Sequence, residues 1–140
     1  MTTKTQPYGS YLTPCFEHAT VFDAMRTGVV SCAADVPART VAQVMATHRI
    51  HSVVVERADA WSVVSDMDLL RGARAGIDEL TAGDIAVTEP VTVEPSLALD
   101  EAVRLMAEHD VAHLIVAEGG RPVGILSTLD IAGVVAWGRA

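Results

Sequence analysis

An internal repeat constrains the fold of this chain more than any other feature of its sequence. Matching residues lie 61 positions apart in the first part of each copy and 62 apart in the rest: Asp23 and Asp84, Val30 and Val91, Met45 and Met106, His48 and His109, Ser65 and Ser127, and Asp68 and Asp130. The spacing changes between Glu56 and Ser62, where a hairpin turn would tolerate an inserted residue. Such a repeat usually means that neither copy buries its apolar surface alone.

Each copy shows the same order of predicted elements, β-α-β-β-α, which indicates an α/β (α+β) fold with pseudo-two-fold symmetry. Apolar residues spaced i, i+3 and i+4 mark one face of the first helix in each copy. The first copy is predicted to contain a strand at 29–32, a helix around 41–48, a hairpin of 53–55 and 61–64, and a helix at 67–74. The second copy is predicted to contain a strand at 91–93, a helix around 102–109, a hairpin of 114–116 and 123–126, and a helix at 129–136. Gly119-Gly120 is a strong signal for the turn of the second hairpin.

Three segments follow from the repeat. We expect a first repeat at residues 20–76 and a second repeat at 77–140, which together form one module. Residues 1–19 match neither copy and contain Pro7, Gly9 and Pro14, so we predict a flexible or loosely docked arm there.

Composition and charge exclude several classes of function. The formal net charge is −8, from 10 basic and 18 acidic residues, which argues against nucleic acid or an anionic membrane as a partner. No apolar run approaches the roughly 20 residues needed to span a bilayer. The two cysteines, Cys15 and Cys32, have neither metal-site nor disulfide-framework spacing, and we expect free thiols. These features predict a soluble cytoplasmic protein.

One octapeptide pattern occurs in both copies. The stretch 124–131 reads Gly-Ile-Leu-Ser-Thr-Leu-Asp-Ile, and 62–69 repeats the pattern with Ser in place of Gly. This pattern resembles the signature of CBS (cystathionine β-synthase) domains, and the stretches 21–25 and 89–95 resemble the opening of that family's repeat. The resemblance covers about residues 20–137.

The resemblance implies a stand-alone CBS pair. Pairs of this family bind adenine nucleotides or S-adenosyl compounds in clefts between their repeats, and they often form disc-like dimers. We therefore expect a homodimeric sensor of AMP, adenosine, S-adenosylmethionine or ATP that acts on an unidentified partner protein. We expect no enzyme activity, no required cofactor and no metal.

Elementary chemistry supports a ligand site at the repeated pattern. An aspartate in the first turn of a helix can accept hydrogen bonds from both hydroxyls of a ribose diol, and the neighbouring serine and helix N–H groups can meet a phosphate. A glycine such as Gly124 would let the backbone approach the ligand closely, and the entrances of the hairpins would wall the adenine. The candidate ligand-binding residues are Gly124, Ser127, Thr128, Asp130, Val111, His113 and Leu114 in the second copy, and Ser65, Asp66, Asp68, Ile50, His51 and Val53 in the first.

The two candidate sites are not equivalent. The second copy keeps the glycine, whereas the first copy places Asp66 next to Ser65, where its charge would repel a phosphate. The second copy has only Arg104, Arg121 and Arg139 as cations, so a polyphosphate there would need arginines lent by the first copy. This distribution favours AMP, adenosine or S-adenosylmethionine over ATP.

Simpler interpretations stand beside the functional ones. Ser-x-x-Asp before an apolar run is also an ordinary helix cap, which is compatible with ligand binding but leaves open a vacant site in a structural, dimerising protein. His48 and His109 fit the negative ends of their helices better than a metal site. His51 and His113 are expected in ligand-wall or core roles. No Ser/His/Asp set or phosphate-binding loop indicates an enzyme.

Overall fold

The structure is a computed structural model that describes residues 13–139. Its first half contains α1 (Val21–Ala24), β1 (Arg26–Thr27), β2 (Ser31–Ala33), α2 (Ala38–His48), β3 (Ser52–Glu56), β4 (Trp61–Ser65) and α3 (Asp66–Gly76). Its second half contains α4 (Ala82–Ile85), β5 (Thr92–Val93), α5 (Leu99–His109), β6 (His113–Glu118), β7 (Arg121–Ser127) and α6 (Thr128–Trp137). Single 3₁₀ turns lie at Phe16–His18 and Ile77–Glu79. The predicted β-α-β-β-α order is confirmed, and short helices α1 and α4 are added before each copy's first strand.

The chain forms two compact units that do not coincide with the two sequence copies. The central unit is Val30–Pro90, and the C-terminal unit combines the described residues up to Val29 with those from Val91 onward. Segment 20–29, which opens the first copy, therefore packs with the hairpin and last helix of the second copy. The boundary at 76/77 therefore separates the two copies in the sequence and does not separate the two packed units. A repeated stretch of sequence need not be the unit that buries a core.

The C-terminal unit is built on a four-stranded sheet in the order β1-β7-β6-β5. Strand β5 runs parallel to β6, whereas β7 is antiparallel to both β6 and β1. The turn between β6 and β7 has positive φ at Gly119 (59°) and Gly120 (78°), which confirms the predicted two-residue turn. Helices α1, α5 and α6 supply buried residues to the core beneath this sheet; among them are Val21, Leu99, Met106 and Val134.

The central unit repeats this plan with a smaller sheet in the order β2-β3-β4. Strand β2 is parallel to β3, and β3 is antiparallel to β4. A single bridge between Val63 and Thr88 lies where the C-terminal unit has the pairing of β1 with β7. Its own apolar core includes Val41, Met45, Val55 and Ile85.

Residues 13–19 are packed more firmly than a loosely docked arm would be. Ala19 belongs to the core of the C-terminal unit, Phe16 packs against that core, and the backbone N–H of Arg139 donates to the carbonyl of Thr13 at 2.9 Å. The prediction of a loose arm is corrected for this stretch, because it carries apolar residues that the unit buries. The rest of that prediction, residues 1–12, lies outside the described residues.

Two further observations bear on the class of protein. None of the helices within residues 13–139 is long and apolar enough to cross a membrane. Cys15 and Cys32 are both free thiols, as expected, and partial burial raises the pKa of the Cys32 thiol.

Candidate functional site

The repeated Ser-x-x-Asp pattern of the C-terminal unit forms a reciprocal cap at the start of α6. The backbone N–H of Ser127 donates to Oδ2 of Asp130 at 2.9 Å, and the N–H of Asp130 donates to Oγ of Ser127 at 3.3 Å. The hydroxyl of Ser127 also donates to Oδ2 at 2.9 Å. One oxygen of the Asp130 carboxylate is thus committed to the capping box, which satisfies N–H groups that a helix start leaves without partners.

The central unit forms the same cap at the start of α3. The N–H of Ser65 donates to Oδ2 of Asp68 at 2.9 Å, and the N–H of Asp68 donates to Oγ of Ser65 at 3.1 Å. Both aspartates are buried, with 1% of each residue exposed. The helix-cap interpretation is therefore correct in both copies, and each cap places a buried carboxylate at the end of a β-strand.

The second carboxylate oxygen of each aspartate faces an arginine. Nε of Arg26 lies 3.2 Å from Oδ1 of Asp130, and Nη2 of Arg71 lies 2.7 Å from Oδ1 of Asp68. The hydroxyl of Thr88 also donates to Oδ1 of Asp68, at 2.6 Å. The side chain of Arg26 is 70% exposed and that of Arg71 is 56% exposed. Each buried carboxylate is therefore paired with a guanidinium that reaches the solvent.

Sequence reasoning missed Arg26 and Thr88 at these sites. Both belong to the segments that open the repeats, and the sequence gives no local sign that these segments return to the Ser-x-x-Asp helices. The repeat nevertheless gave one clue that these segments are equivalent. Thr27, the residue after Arg26, matches Thr88 at the same 61-residue spacing as Asp23 and Asp84. Arg26 is an arginine that the first copy contributes to the motif of the second, where it pairs with Asp130.

Gly124 is needed for contact with protein backbone. A β-carbon at this position would lie 2.5 Å from the carbonyl oxygen of Arg26, because β1 pairs closely with β7 there. The expectation that Gly124 admits a ligand is corrected accordingly: the space beside it is filled by β1. The matching Ser62 instead accepts a hydrogen bond from Arg57 at 3.3 Å.

The polar candidates beside each cap are arranged differently in the two units. Thr128 is exposed at the first position of α6, and its backbone N–H donates to the carbonyl of Ala112 at 3.0 Å. Asp66 occupies the equivalent place on α3, where Nδ1 of His51 lies 3.4 Å from its Oδ2. His113 is half-buried and pairs with Ser127 across the sheet. A negative charge is thus present beside the cap of the central unit and absent at the same position of the other.

The expected apolar wall divides into core residues and accessible residues. Leu114 and Val53 are each 1% exposed and belong to the cores of their units. Their side chains cannot line a ligand without unpacking those cores, so that expectation is corrected. Ile50 and Val111 are half-buried at the entrances of the hairpins and remain available for such contact.

The histidines that repeat in the sequence occupy helix ends. His48 and His109 lie in the last turns of α2 and α5, as the dipole interpretation predicts. Among residues 13–139, no group of three or more His, Cys, Asp or Glu side chains is arranged to hold a metal ion.

Comparison with known proteins gives consistent matches. The family model of the CBS domain matches residues 21–74 and 82–136. The CBS domain-containing protein YhcV of Bacillus subtilis is 29% identical over 117 residues, which cover 81% of this chain and 84% of the relative.

Solved structures share the fold. The structure of Hypoxic Response Protein I with two coordinated zinc ions has a TM-score of 0.69 at 28% identity, covering 81% of this chain and 97% of that one. The structure of CBSX2 in complex with AMP has a TM-score of 0.69 at 23% identity, covering 81% and 93%. The two family matches, the repeated capped aspartates and this shared fold lead to one conclusion: the chain belongs to the CBS domain family.

Proposed function

We propose that this protein is a regulatory sensor that binds an adenosine-type ligand at its capped aspartates and acts on a partner protein. The observation that carries the proposal is the carboxylate of Asp130, repeated in Asp68. One oxygen fixes the carboxylate to the helix start and the other points toward an exposed arginine. CBS domain proteins are generally regulatory ligand-binding modules, which makes a regulatory role preferable to a catalytic one.

A ribose diol suits this arrangement. Its hydroxyls can donate to Oδ1 of Asp130 once Arg26 moves aside, and hydrogen bonds to an ionised carboxylate are stronger than neutral ones. Thr128 is an exposed residue next to the cap, and its hydroxyl can donate to a phosphate, whereas Asp66 at the equivalent position would repel it. The C-terminal unit is therefore the better site for AMP, and the central unit suits a ligand without negative charge.

AMP is the first ligand to test. It carries one phosphate, in keeping with the scarcity of cations in the second copy, and a protein of the same fold, CBSX2, has been solved in complex with it. Adenosine, S-adenosylmethionine and ATP complete the ligand set, and GMP is the control for the base.

A thermal-shift titration tests the proposal. Ligands that bind only the folded state raise the melting temperature by mass action, by RT ln(1 + [L]/Kd). AMP should raise it more than GMP, and Asp130→Asn should reduce the AMP effect more than Asp68→Asn does. The asparagine variants keep an oxygen for the cap while removing the charge that the diol prefers. Equal shifts with AMP and GMP, or none with any adenosine ligand, would refute ligand sensing.

A structural role is the alternative. The capping boxes and arginines already satisfy the oxygens of Asp68, so this site is stable without a ligand. In that case the protein would act through self-association, for which Val135 (63% exposed) and Trp137 (56%) on α6 are candidates. Val134, their neighbour on α6, is instead buried in the core, with 1% of the residue exposed. Mass spectrometry of small molecules released from the purified native protein separates the two roles.

A further inference from the structure

Each buried aspartate faces one arginine, but the two arginines come from different places in the repeat. Arg71 lies on α3, three residues after Asp68, and the position that matches it 62 residues later is Gly133. Arg26 lies on β1, and the position that matches it 61 residues later is Val87. An arginine at the carboxylate is therefore supplied separately in each unit.

Burial explains why both carboxylates have a cation. The side chains of Asp68 and Asp130 are 0% and 2% exposed, and a carboxylate removed from water without a charged partner is strongly unfavourable. A ligand that binds Oδ1 must therefore displace the arginine from that oxygen and supply hydrogen-bond donors to the carboxylate in its place. The arginine in turn must find another anion or return to water.

Arg26 is held less tightly than Arg71. Its Nε–Oδ1 distance of 3.2 Å exceeds the usual length of a charge-assisted bond, about 2.7–2.9 Å, whereas Arg71 lies at 2.7 Å. Arg71 also lies 3.4 Å from the hydroxyl of Thr88, which shares the same carboxylate oxygen. Within residues 13–29 and 91–139, neither Nη group of Arg26 has a hydrogen-bond partner. These two groups form the planar fork that pairs with phosphate.

We propose that Arg26 determines which ligands the C-terminal unit accepts. Without ligand it neutralises Asp130; when a ribose diol binds Oδ1, Arg26 leaves and pairs with the phosphate of the same ligand. A nucleoside without phosphate must displace Arg26 but supplies no anion with which the displaced guanidinium can pair. The unit therefore selects nucleoside monophosphates over nucleosides. This inference rests on the proposed function and adds to it the residue that sets the ligand class.

The surrounding charges limit the ligand to few phosphates. Arg104, another cation of this unit, is engaged by Glu101 and Glu108 on α5. Among the described residues of this unit, Arg26 is the cation that pairs with the aspartate of the motif, and a single guanidinium neutralises a monophosphate better than a triphosphate. The movement of Arg26 from Asp130 to the phosphate thus favours AMP over ATP as well as over adenosine.

Calorimetric titration of AMP and of adenosine into three full-length proteins tests the inference. They are the wild type, Arg26→Gln, and Arg104→Gln as a control that removes an exposed arginine of the same unit. Glutamine keeps a neutral donor for Asp130 but has no charge for a phosphate. We expect Arg26→Gln to weaken AMP binding by about ten- to a hundred-fold, the value of a hydrogen bond to a charged group. Adenosine should bind Arg26→Gln as well as or better than it binds the wild type, and Arg104→Gln should change neither affinity.

The outcomes separate this inference from the proposed function. Equal weakening of AMP and adenosine would make Arg26 a structural residue, and an unchanged AMP-to-adenosine ratio would remove its role in selection; either result overturns the inference alone. A wild type that binds neither AMP nor adenosine refutes the proposed function, and it refutes the role of Arg26 in ligand selection as well.

A measurement on the wild type covers the case in which Arg26→Gln does not fold. The NMR resonance of the Arg26 Nε–H group, assigned by its loss in Arg26→Lys, should shift when either ligand is added, because both displace it from Asp130. A resonance that stays in place while AMP binds overturns the inference.

Discussion

Replacing Asp130 with alanine should destabilise the protein far more than an exposed acidic cap residue would. The carboxylate accepts hydrogen bonds from the N–H and the hydroxyl of Ser127, both at 2.9 Å, in a site where only 1% of the residue is exposed. Losing a bond to a charged group costs about 1.5–3 kcal/mol when the other partner stays buried. The pair with Arg26 adds about 0–1 kcal/mol, since the guanidinium is largely in solvent. We therefore expect a loss of about 1.5–4 kcal/mol.

Asp84 provides a matched control for this experiment. It forms the same reciprocal cap with Thr81, in which the N–H of Thr81 donates to Oδ2 of Asp84 at 2.9 Å and the N–H of Asp84 donates to Oγ1 at 3.3 Å. Asp84 is exposed, so water replaces the lost bonds when it becomes alanine. The difference between the two variants thus isolates the effect of burial.

Urea unfolding followed by circular dichroism measures both variants. The midpoint of Asp130→Ala should fall by roughly 1–2 M for a denaturant slope typical of a chain of this size, and that of Asp84→Ala should fall much less. A helix-dipole interaction alone would cost only about 0.3–1 kcal/mol. If Asp130→Ala is no less stable than Asp84→Ala, the carboxylate is not held in the buried cap that the structure shows.

Three further predictions follow from particular contacts. Gly124→Ala should cost about 1–3 kcal/mol in the same unfolding assay, because the new β-carbon would meet the carbonyl oxygen of Arg26 at 2.5 Å; an unchanged midpoint would contradict the close approach of β1 to β7. The hydrogen bond from the Thr81 backbone lowers the pKa of Asp84 below its ordinary value, so this cap stabilises the fold above the unfolded-chain pKa of about 3.9 and stops doing so as the pH falls through the folded pKa. Asp84→Asn should flatten that part of the stability-versus-pH curve, and identical curves for both proteins would count against it. Light scattering at micromolar concentration should give a homodimer, with Trp137→Ser shifting it toward monomer; a clean wild-type monomer would argue against self-association through α6.

Local patterns in the sequence predicted the repeated β-α-β-β-α elements, and the resemblance of the octapeptide to the CBS signature indicated the family. The repeated spacing of Val, Met and His residues predicted α2 and α5, and Gly119-Gly120 predicted the turn of the second hairpin. These features depend on interactions between residues close together in the chain, so a local pattern contains the information. Ser127 and Asp130 were identified for the same reason, because a capping box spans only three residues.

The partners of the buried aspartates depended on tertiary structure. Arg26 is 104 residues from Asp130 and Thr88 is 20 residues from Asp68, and each reaches its carboxylate through the return of a repeat-opening segment. The role of Gly124 was hidden likewise, since the backbone that excludes a β-carbon there belongs to β1. Leu114 and Val53 look like any hairpin residue in the sequence, and only packing decides that they fill a core instead of facing a ligand. The sequence by itself thus determined the repeat, its elements and its caps, whereas the folded chain decided which distant groups neutralise each cap, because a buried charge is satisfied by proximity in space and not by spacing along the chain.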